Sequence, residues 1–281
     1  MVAFTVNDAF MKALSDDVPL FQAIFLRGMG TVICLFALTI MLGQFRWDLG
    51  AKNWRLIGLR TFAEVASTFF FLTALYNMPL ANVSAILQAL PLTVSLAAAI
   101  FLGEALGWRR VFAIVVGFIG VMMIVQPGSD GFTIYSISAL IAVGFVTLRD
   151  LAVRRMTAEV PSVFVGLIAA ISVTTFAGVM TVPVTWVDVP NIAWLQLLGA
   201  MTAIMFGYVF SVTAMRHGEI GFVASFRYSS LIAALILGWL VFDEWPAALT
   251  LIGAAIVVAT GLFTLYRERR VARRSKTDGA A

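Results

Sequence analysis

The sequence predicts an all-α polytopic membrane protein of ten transmembrane helices, arranged as two inverted five-helix repeats. Three observations carry that expectation. Apolar residues make up 61% of the 281 positions and charged residues 12%. The apolar residues gather in ten runs, at 2–14, 20–42, 56–76, 80–102, 111–125, 134–152, 162–182, 192–215, 220–242 and 247–266, most of them close to the roughly 20 residues a bilayer core requires. Of the 19 Lys and Arg residues, Arg46, Lys52, Arg55, Arg109, Arg110, Arg149, Arg154, Arg155, Arg216, Arg267, Arg269, Arg270, Arg273, Arg274 and Lys276 fall on one side of such a ten-span chain. Only Lys12 falls opposite, and Arg27, Arg60 and Arg227 lie inside spans. Cytoplasmic flanks collect Lys and Arg, so the expectation is a cell (inner) membrane protein with both termini cytoplasmic. Finally, the chain matches itself. An offset of 142 lays Asp8 on Asp150, Lys12 on Arg154 and Val18-Pro19 on Val160-Pro161, and an offset of 140 lays Phe70 on Phe210, Val83 on Val223 and Glu104 on Glu244. Five spans per copy force the second copy to enter the membrane in the opposite sense.

The first run covers only about 20 Å at 1.5 Å per residue, so its helix is expected to be truncated. Asn7-Asp8 interrupts it and no basic segment precedes it, which argues against a cleavable signal peptide. The second run carries the only cysteine, Cys34, so no internal disulfide can form, and holds Arg27 about 10 Å below its outer start. On the third, Arg60, Glu64, Ser67 or Thr68, and Phe71 share a helical face. Arg27 and Glu64 differ in depth by about 8 Å, so they could pair through their long side chains. Arg60 and Glu64, four apart, offer a purely structural ion pair instead. Either way a charge near the bilayer centre needs a partner or water.

Ser84, Gln88, Pro91 and Ser95 line one face of the fourth run, a polar stripe expected to look inward. Pro91 has no N–H for the Leu87 carbonyl, which predicts a kink beside Gln88. The fifth run carries the small pair Ala113-x-x-x-Gly117, suited to close packing. In the second copy, Thr68, Phe71 and Gln88 map onto Tyr208, Ser211 and Tyr228. Gln88 and Tyr228 each sit about 12 Å deep from opposite faces, so both approach the midplane. Arg227 stands about 10 Å inside the ninth run, placed to snorkel or to attract a carboxylate. The tenth run carries Ala255-x-x-x-Ala259. The expected organisation is a first repeat over 1–126, a second over 131–267 and a basic cytoplasmic tail over 268–281, too polar to order itself.

Enzyme chemistry finds little to work with. There is one His, one Cys, no H-E-x-x-H and no G-x-x-x-x-G-K-[ST], so metal or nucleophilic catalysis and ATP-driven pumping are not expected. No metal site or cofactor is expected either. The net charge of +4 fits flanks beside anionic lipid, with no nucleic acid as partner. The expected partners are the lipid bilayer and a small-molecule substrate; oligomeric state is not read.

Two five-helix halves, a helix-end Glu in each (GEALGW at 103–108, DEWPAA at 243–248) and a following Gly-punctuated span (VFAIVVGFIGVMMI, LTLIGAAIVVATGL) resemble the drug/metabolite transporter superfamily in its ten-span EamA-type branch. Within it the chain looks most similar to the YddG-type aromatic amino acid exporters. The resemblance implies alternating access around a central cavity built from the third, fourth, eighth and ninth helices, with export of amino acids or related metabolites. Thr68, Phe71, Gln88, Tyr208, Ser211, Tyr228 and Arg227 are the candidate substrate-binding residues, and Glu64, Arg27 and Arg60 the candidate coupling or structural charges. Phe71 and the two tyrosines offer broad walls with few polar groups, which suits an amphipathic molecule such as an aromatic or bulky apolar amino acid. The other readings are an exporter of drugs or other metabolites, and a receptor or scaffold that binds without translocating.

Overall fold

Residues 1–104, 107–127, 133–217 and 226–278 are described by a computed structural model, without side chains at 209, 211–217, 226 and 268–278. The elements are α1 (Val2–Ala13), α2 (Leu20–Met41), α3 (Ala51–Asn77), α4 (Leu80–Leu87), α5 (Leu90–Leu102), α6 (Trp108–Val125), α7 (Ile134–Arg154), α8 (Ser162–Thr181) and α9 (Asn191–His217). A 3-10 turn at Phe226–Tyr228 follows, then α10 (Ser229–Phe242) and α11 (Ala248–Asp278). No strand occurs among the described residues. Eight helical stretches are long and apolar enough to cross a membrane, α4 and α5 together forming one of them, and α10 is a shorter apolar helix. With α1 these account for all ten runs.

Helix boundaries follow local chemistry. Pro19, Pro79 and Pro161 stand immediately before α2, α4 and α8, where a missing N–H is harmless and the fixed φ favours helix entry. Gly103 closes α5 in the left-handed region, the backbone conformation glycine adopts without penalty. The third span begins at Ala51, five residues before the apolar run, because polarity and charge do not prevent Lys52 to Arg55 from being helical. The last helix continues to Asp278 through the basic segment expected to be without order; that segment is rich in Arg, a strong helix former.

Packing obeys the exchange of the two halves, which maps α1 to α7, α2 to α8, α3 to α9, α4–α5 to α10 and α6 to α11. The extensive α3·α7 contact has its counterpart in α1·α9, and α2·α8 and α6·α11 are their own counterparts. Likewise α5·α7 answers to α1·α10, and α2·α9 to α3·α8. Glycines set the closest approaches. At the α6·α11 crossing a Cβ on Gly120 would stand 2.8 Å from the Gly253 carbonyl oxygen, and a Cβ on Gly253 2.6 Å from that of Gly120. Gly117 abuts Leu92 and Thr260, so this small-residue face packs within the chain.

One apolar cluster gathers at the Lys12 end of the bundle, where Met11, Leu14, Leu75, Leu80 and Leu197 are fully buried. A second, along α4, α5, α6 and α11, includes Ile86, Leu92, Val121 and Val257. Phe71 packs against both.

Candidate functional site

The fourth span breaks beside Gln88, as Pro91 predicts. The amides of Gln88 and Ala89 turn back to the carbonyls of Ala85 and Ile86 at 3.1 Å, i→i−3 bonds that tighten the end of α4. α5 restarts with Pro91 in its first turn. The described part of the ninth span opens with a 3-10 turn, Phe226–Tyr228, that leads directly into α10. The residues ahead of α5 and α10 share one geometry, φ −67° and ψ −16° at Ala89 against φ −68° and ψ −17° at Tyr228. The break and this turn face each other: the Gln88 amide Nε2 donates to the Ser230 hydroxyl at 3.0 Å, and that hydroxyl donates to the Arg227 carbonyl at 2.6 Å. The Gln88 Oε1 is buried with no hydrogen-bond partner among the described residues. α5 and α10 therefore both begin in the middle of the protein, and their positive dipole ends converge there.

A charge cluster lies beside the break and the turn. Glu64 pairs with Arg149 at 3.3 Å and with Arg60 at 3.5 Å. Asp150 pairs with Arg149 at 2.9 Å and approaches Arg227 at 3.9 Å. The Arg60 guanidinium also reaches the Val165 carbonyl at 3.3 Å. Three guanidiniums thus face two carboxylates, leaving one positive charge in excess among these five residues. The Arg27–Glu64 pair that depth allows is not made. Arg27 donates to the Asn7 side-chain oxygen at 3.4 Å, with Asp8 as its charged neighbour, because α2 packs chiefly on α8 and α9 and meets α3 only briefly.

The remaining sequence candidates fall in different places. Thr68 is half-buried on α3. Tyr208 stacks edge-on against Phe4 at 5.9 Å and lines a crevice of about 240 Å³ between α2 and α9; Glu64, Arg60 and Arg149 are its electrostatic neighbours. The buried Tyr228 hydroxyl lies against Gly261 of α11 and has no hydrogen-bond partner among the described residues. The Ser211 side chain lies outside the described residues. Ser95, on the polar stripe of the fourth span, accepts from Arg110 at 2.7 Å. Arg149 and Asp150 are central here, yet the sequence counts Arg149 among the flank charges and singles out Asp150 only by its match to Asp8. Their signal was position, since α7 runs five residues, about 8 Å, beyond Arg149.

Two further ion pairs join the halves. Lys12 on α1 meets Glu244 after α10 at 3.2 Å, and Arg154 on α7 meets Glu104 after α5 at 3.2 Å. The αL residues ahead of the two glutamates, Gly103 and Asp243, are themselves equivalent.

Comparison with known proteins places this geometry among transporters. Residues 1–126 match the EamA-like transporter family. The chain is 30% identical over 239 residues to a riboflavin transporter of Vibrio cholerae, covering 83% of this chain and 76% of that protein. It is 27% identical over 266 residues to the pseudopaline exporter CntI of Pseudomonas aeruginosa, covering 91% and 89%. It is 24% identical over 277 residues to an S-adenosylmethionine uptake transporter of Rickettsia conorii, covering 98% and 92%. A solved crystal structure superposes with a TM-score of 0.62 at 18% identity, covering 96% of this chain and 97% of that one, which establishes the shared fold.

Proposed function

The chain belongs to the EamA-like transporter family, and on that premise we propose that it is a secondary transporter exporting amino acids, aromatic or bulky apolar ones favoured, by alternating access through its centre. That it is a multi-pass membrane transporter of small metabolites, with no enzymatic activity of its own, follows from the family and its relatives. The observation that carries the finer reading is the meeting of the break at Gln88 with the turn that opens α10. An amino acid needs donors for its carboxylate and acceptors for its ammonium. The converging N-terminal ends of α5 and α10, with Arg227 in the turn that opens α10, supply positive potential for the carboxylate. The Gln88 Oε1, which has no hydrogen-bond partner among the described residues, and the Leu87 carbonyl, to which Pro91 has no N–H to give, supply acceptors. Phe71 and Tyr208 are the candidate apolar walls and Thr68 a hydroxyl, with Ser211, whose side chain lies outside the described residues, as the remaining candidate. Glu64, Arg60 and Arg27 sit in the charge networks around this centre and would couple or brace the motion. Both termini are assigned to the cytoplasm, in the inner membrane, from the Lys and Arg asymmetry.

A second reading is transport of a larger heteroaromatic metabolite, favoured by relatives named for riboflavin and S-adenosylmethionine, one of them an uptake transporter. Counterflow of labelled phenylalanine in proteoliposomes, with and without a pH gradient, separates the two. Competition by tryptophan and phenylalanine but not riboflavin supports amino acid export, and competition by riboflavin or S-adenosylmethionine alone overturns it.

A further inference from the structure

The α6·α11 pair holds a cleft that faces lipid, away from the central site. The two helices touch at Gly120 and Gly253 and again at Gly117 and Thr260, and the groove along them toward the arginine-rich end encloses about 650 Å³. Its walls are apolar, formed by Phe112 and Val116 from α6 and Phe263 from α11, and its mouth carries Arg109, Arg267, Trp108 and Tyr266. Trp108 and Tyr266 are exposed, as aromatic residues are at the headgroup level. The Arg109 guanidinium lies over the Trp108 ring at 5.3 Å. Neither Arg109 nor Arg267 has a carboxylate within ion-pair distance among the described residues. From Val116 to Trp108 and from Ala259 to Arg267 the cleft runs about 12 Å along each helix, room for most of an acyl chain in one leaflet of about 15 Å.

We propose that this cleft binds one anionic phospholipid, its phosphate held between Arg109 and Arg267 and an acyl chain laid along Phe112, Val116 and Phe263. Charge selects this occupant. Guanidiniums form forked, charge-assisted hydrogen bonds with phosphate, and basic pockets between transmembrane helices on the cytoplasmic side hold anionic headgroups. A second copy of the chain is the competing occupant. A two-fold dimer through this face would set Arg109 and Arg267 of one copy against the same residues of the other, with no acidic residue of the cleft between them. A zwitterionic lipid would fill the apolar walls equally well but would bring no net charge to the two guanidiniums.

Trp108 provides the readout. The full chain is reconstituted in vesicles of phosphatidylcholine and phosphatidylglycerol, with bromine on the acyl chains of one lipid or the other, and the Trp108 contribution to fluorescence is isolated by comparison with Trp108→Phe. The expected result is that brominated phosphatidylglycerol quenches Trp108 at a mole fraction about tenfold or more below that needed with brominated phosphatidylcholine, since each basic residue multiplies affinity for anionic lipid several-fold. Arg109→Gln/Arg267→Gln, read with Trp108 in place and checked for a monodisperse fold, is expected to bring the two lipids level. Equal quenching in the wild type, or an unchanged preference in the double variant, overturns the proposal. So does efficient disulfide cross-linking between copies carrying Phe112→Cys, which would place a second chain in the cleft.

Discussion

Lys12 and Glu244 join the two halves at one end of the bundle, and their repeat equivalents, Arg154 and Glu104, join them at the other. The two pairs have the same 3.2 Å separation but different surroundings. The Lys12 and Glu244 side chains are 10% and 27% exposed, those of Arg154 and Glu104 41% and 43%. Lys12 also donates to the Met78 carbonyl at 2.7 Å and lies over the Phe242 ring at 5.5 Å, while Glu244 accepts from the Leu80 amide at 3.1 Å. The Lys12 end is therefore closed by a largely buried pair above fully buried Leu14, Leu75 and Leu80, and the Arg154 end by a more exposed pair beside the bond from Arg155 to the Phe101 carbonyl at 2.6 Å.

If opening of one end accompanies closing of the other, Glu244→Gln favours opening at the Lys12 end. Loss of a partly buried ion pair is worth about 2 kcal/mol, which shifts a two-state ratio about 30-fold. Cysteine at Met78, buried in this state, is expected to react faster with an impermeant thiol reagent in Glu244→Gln, and Glu104→Gln is expected to leave it unreactive. Equal labelling in both variants would remove the latch from the mechanism.

Glu64 bridges two arginines, so Glu64→Gln leaves Arg60 without a carboxylate among the described residues and Arg149 with Asp150 alone. A destabilisation of about 3 kcal/mol is expected, seen as a lower melting temperature, with partial recovery in Glu64→Gln/Arg149→Gln. A Glu64→Gln protein as stable as the wild type that exchanges substrate but no longer accumulates it against a pH gradient would instead make Glu64 the coupling carboxylate.

Sidedness is tested by labelling exposed positions. Cysteines at Lys52 and Arg155 are expected to react only from the cytoplasmic side and one at Asp188 only from outside. The contacts already pair these faces consistently: Asn53 donates to Thr157 at 3.0 Å and Gln22 to the Val187 carbonyl at 2.9 Å. Reaction of Lys52→Cys and Asp188→Cys from one side would undo the orientation.

The spans, the break at Gln88 and the equivalence of Glu104 and Glu244 were legible in the sequence because each depends on local or periodic signals: run length, a proline's missing N–H, a nearly constant offset. The partners of the charges were not. Sequence gives depth along a helix, as it did for Arg27 and Glu64, but which neighbour a residue faces depends on rotation about the helix axis and on the packing partner. Arg27 thus turns to Asn7, Glu64 to Arg149, and Ser95 to Arg110. Tyr228 shares the limit, since its depth at the midplane was readable while the direction of its hydroxyl, toward Gly261, depends on where α11 packs.

That direction separates the roles of Gln88 and Tyr228. Gln88 keeps a carbonyl oxygen without a partner among the described residues beside the turn that opens α10, so Gln88→Ala is expected to weaken transport of all amino acids alike, by about tenfold for one lost hydrogen bond in a dry site. The Tyr228 ring is buried against α11, so Tyr228→Ala is expected to destabilise the fold by about 3 kcal/mol through the cavity it leaves. Tyr228→Phe removes a buried hydroxyl that has no partner among the described residues and is expected to be neutral or stabilising. Competition among phenylalanine, tryptophan, threonine and alanine, read together with melting temperature, decides between packing and recognition: a stable Tyr228→Phe protein with an altered rank order of competitors would show that the hydroxyl turns from Gly261 to the substrate during transport.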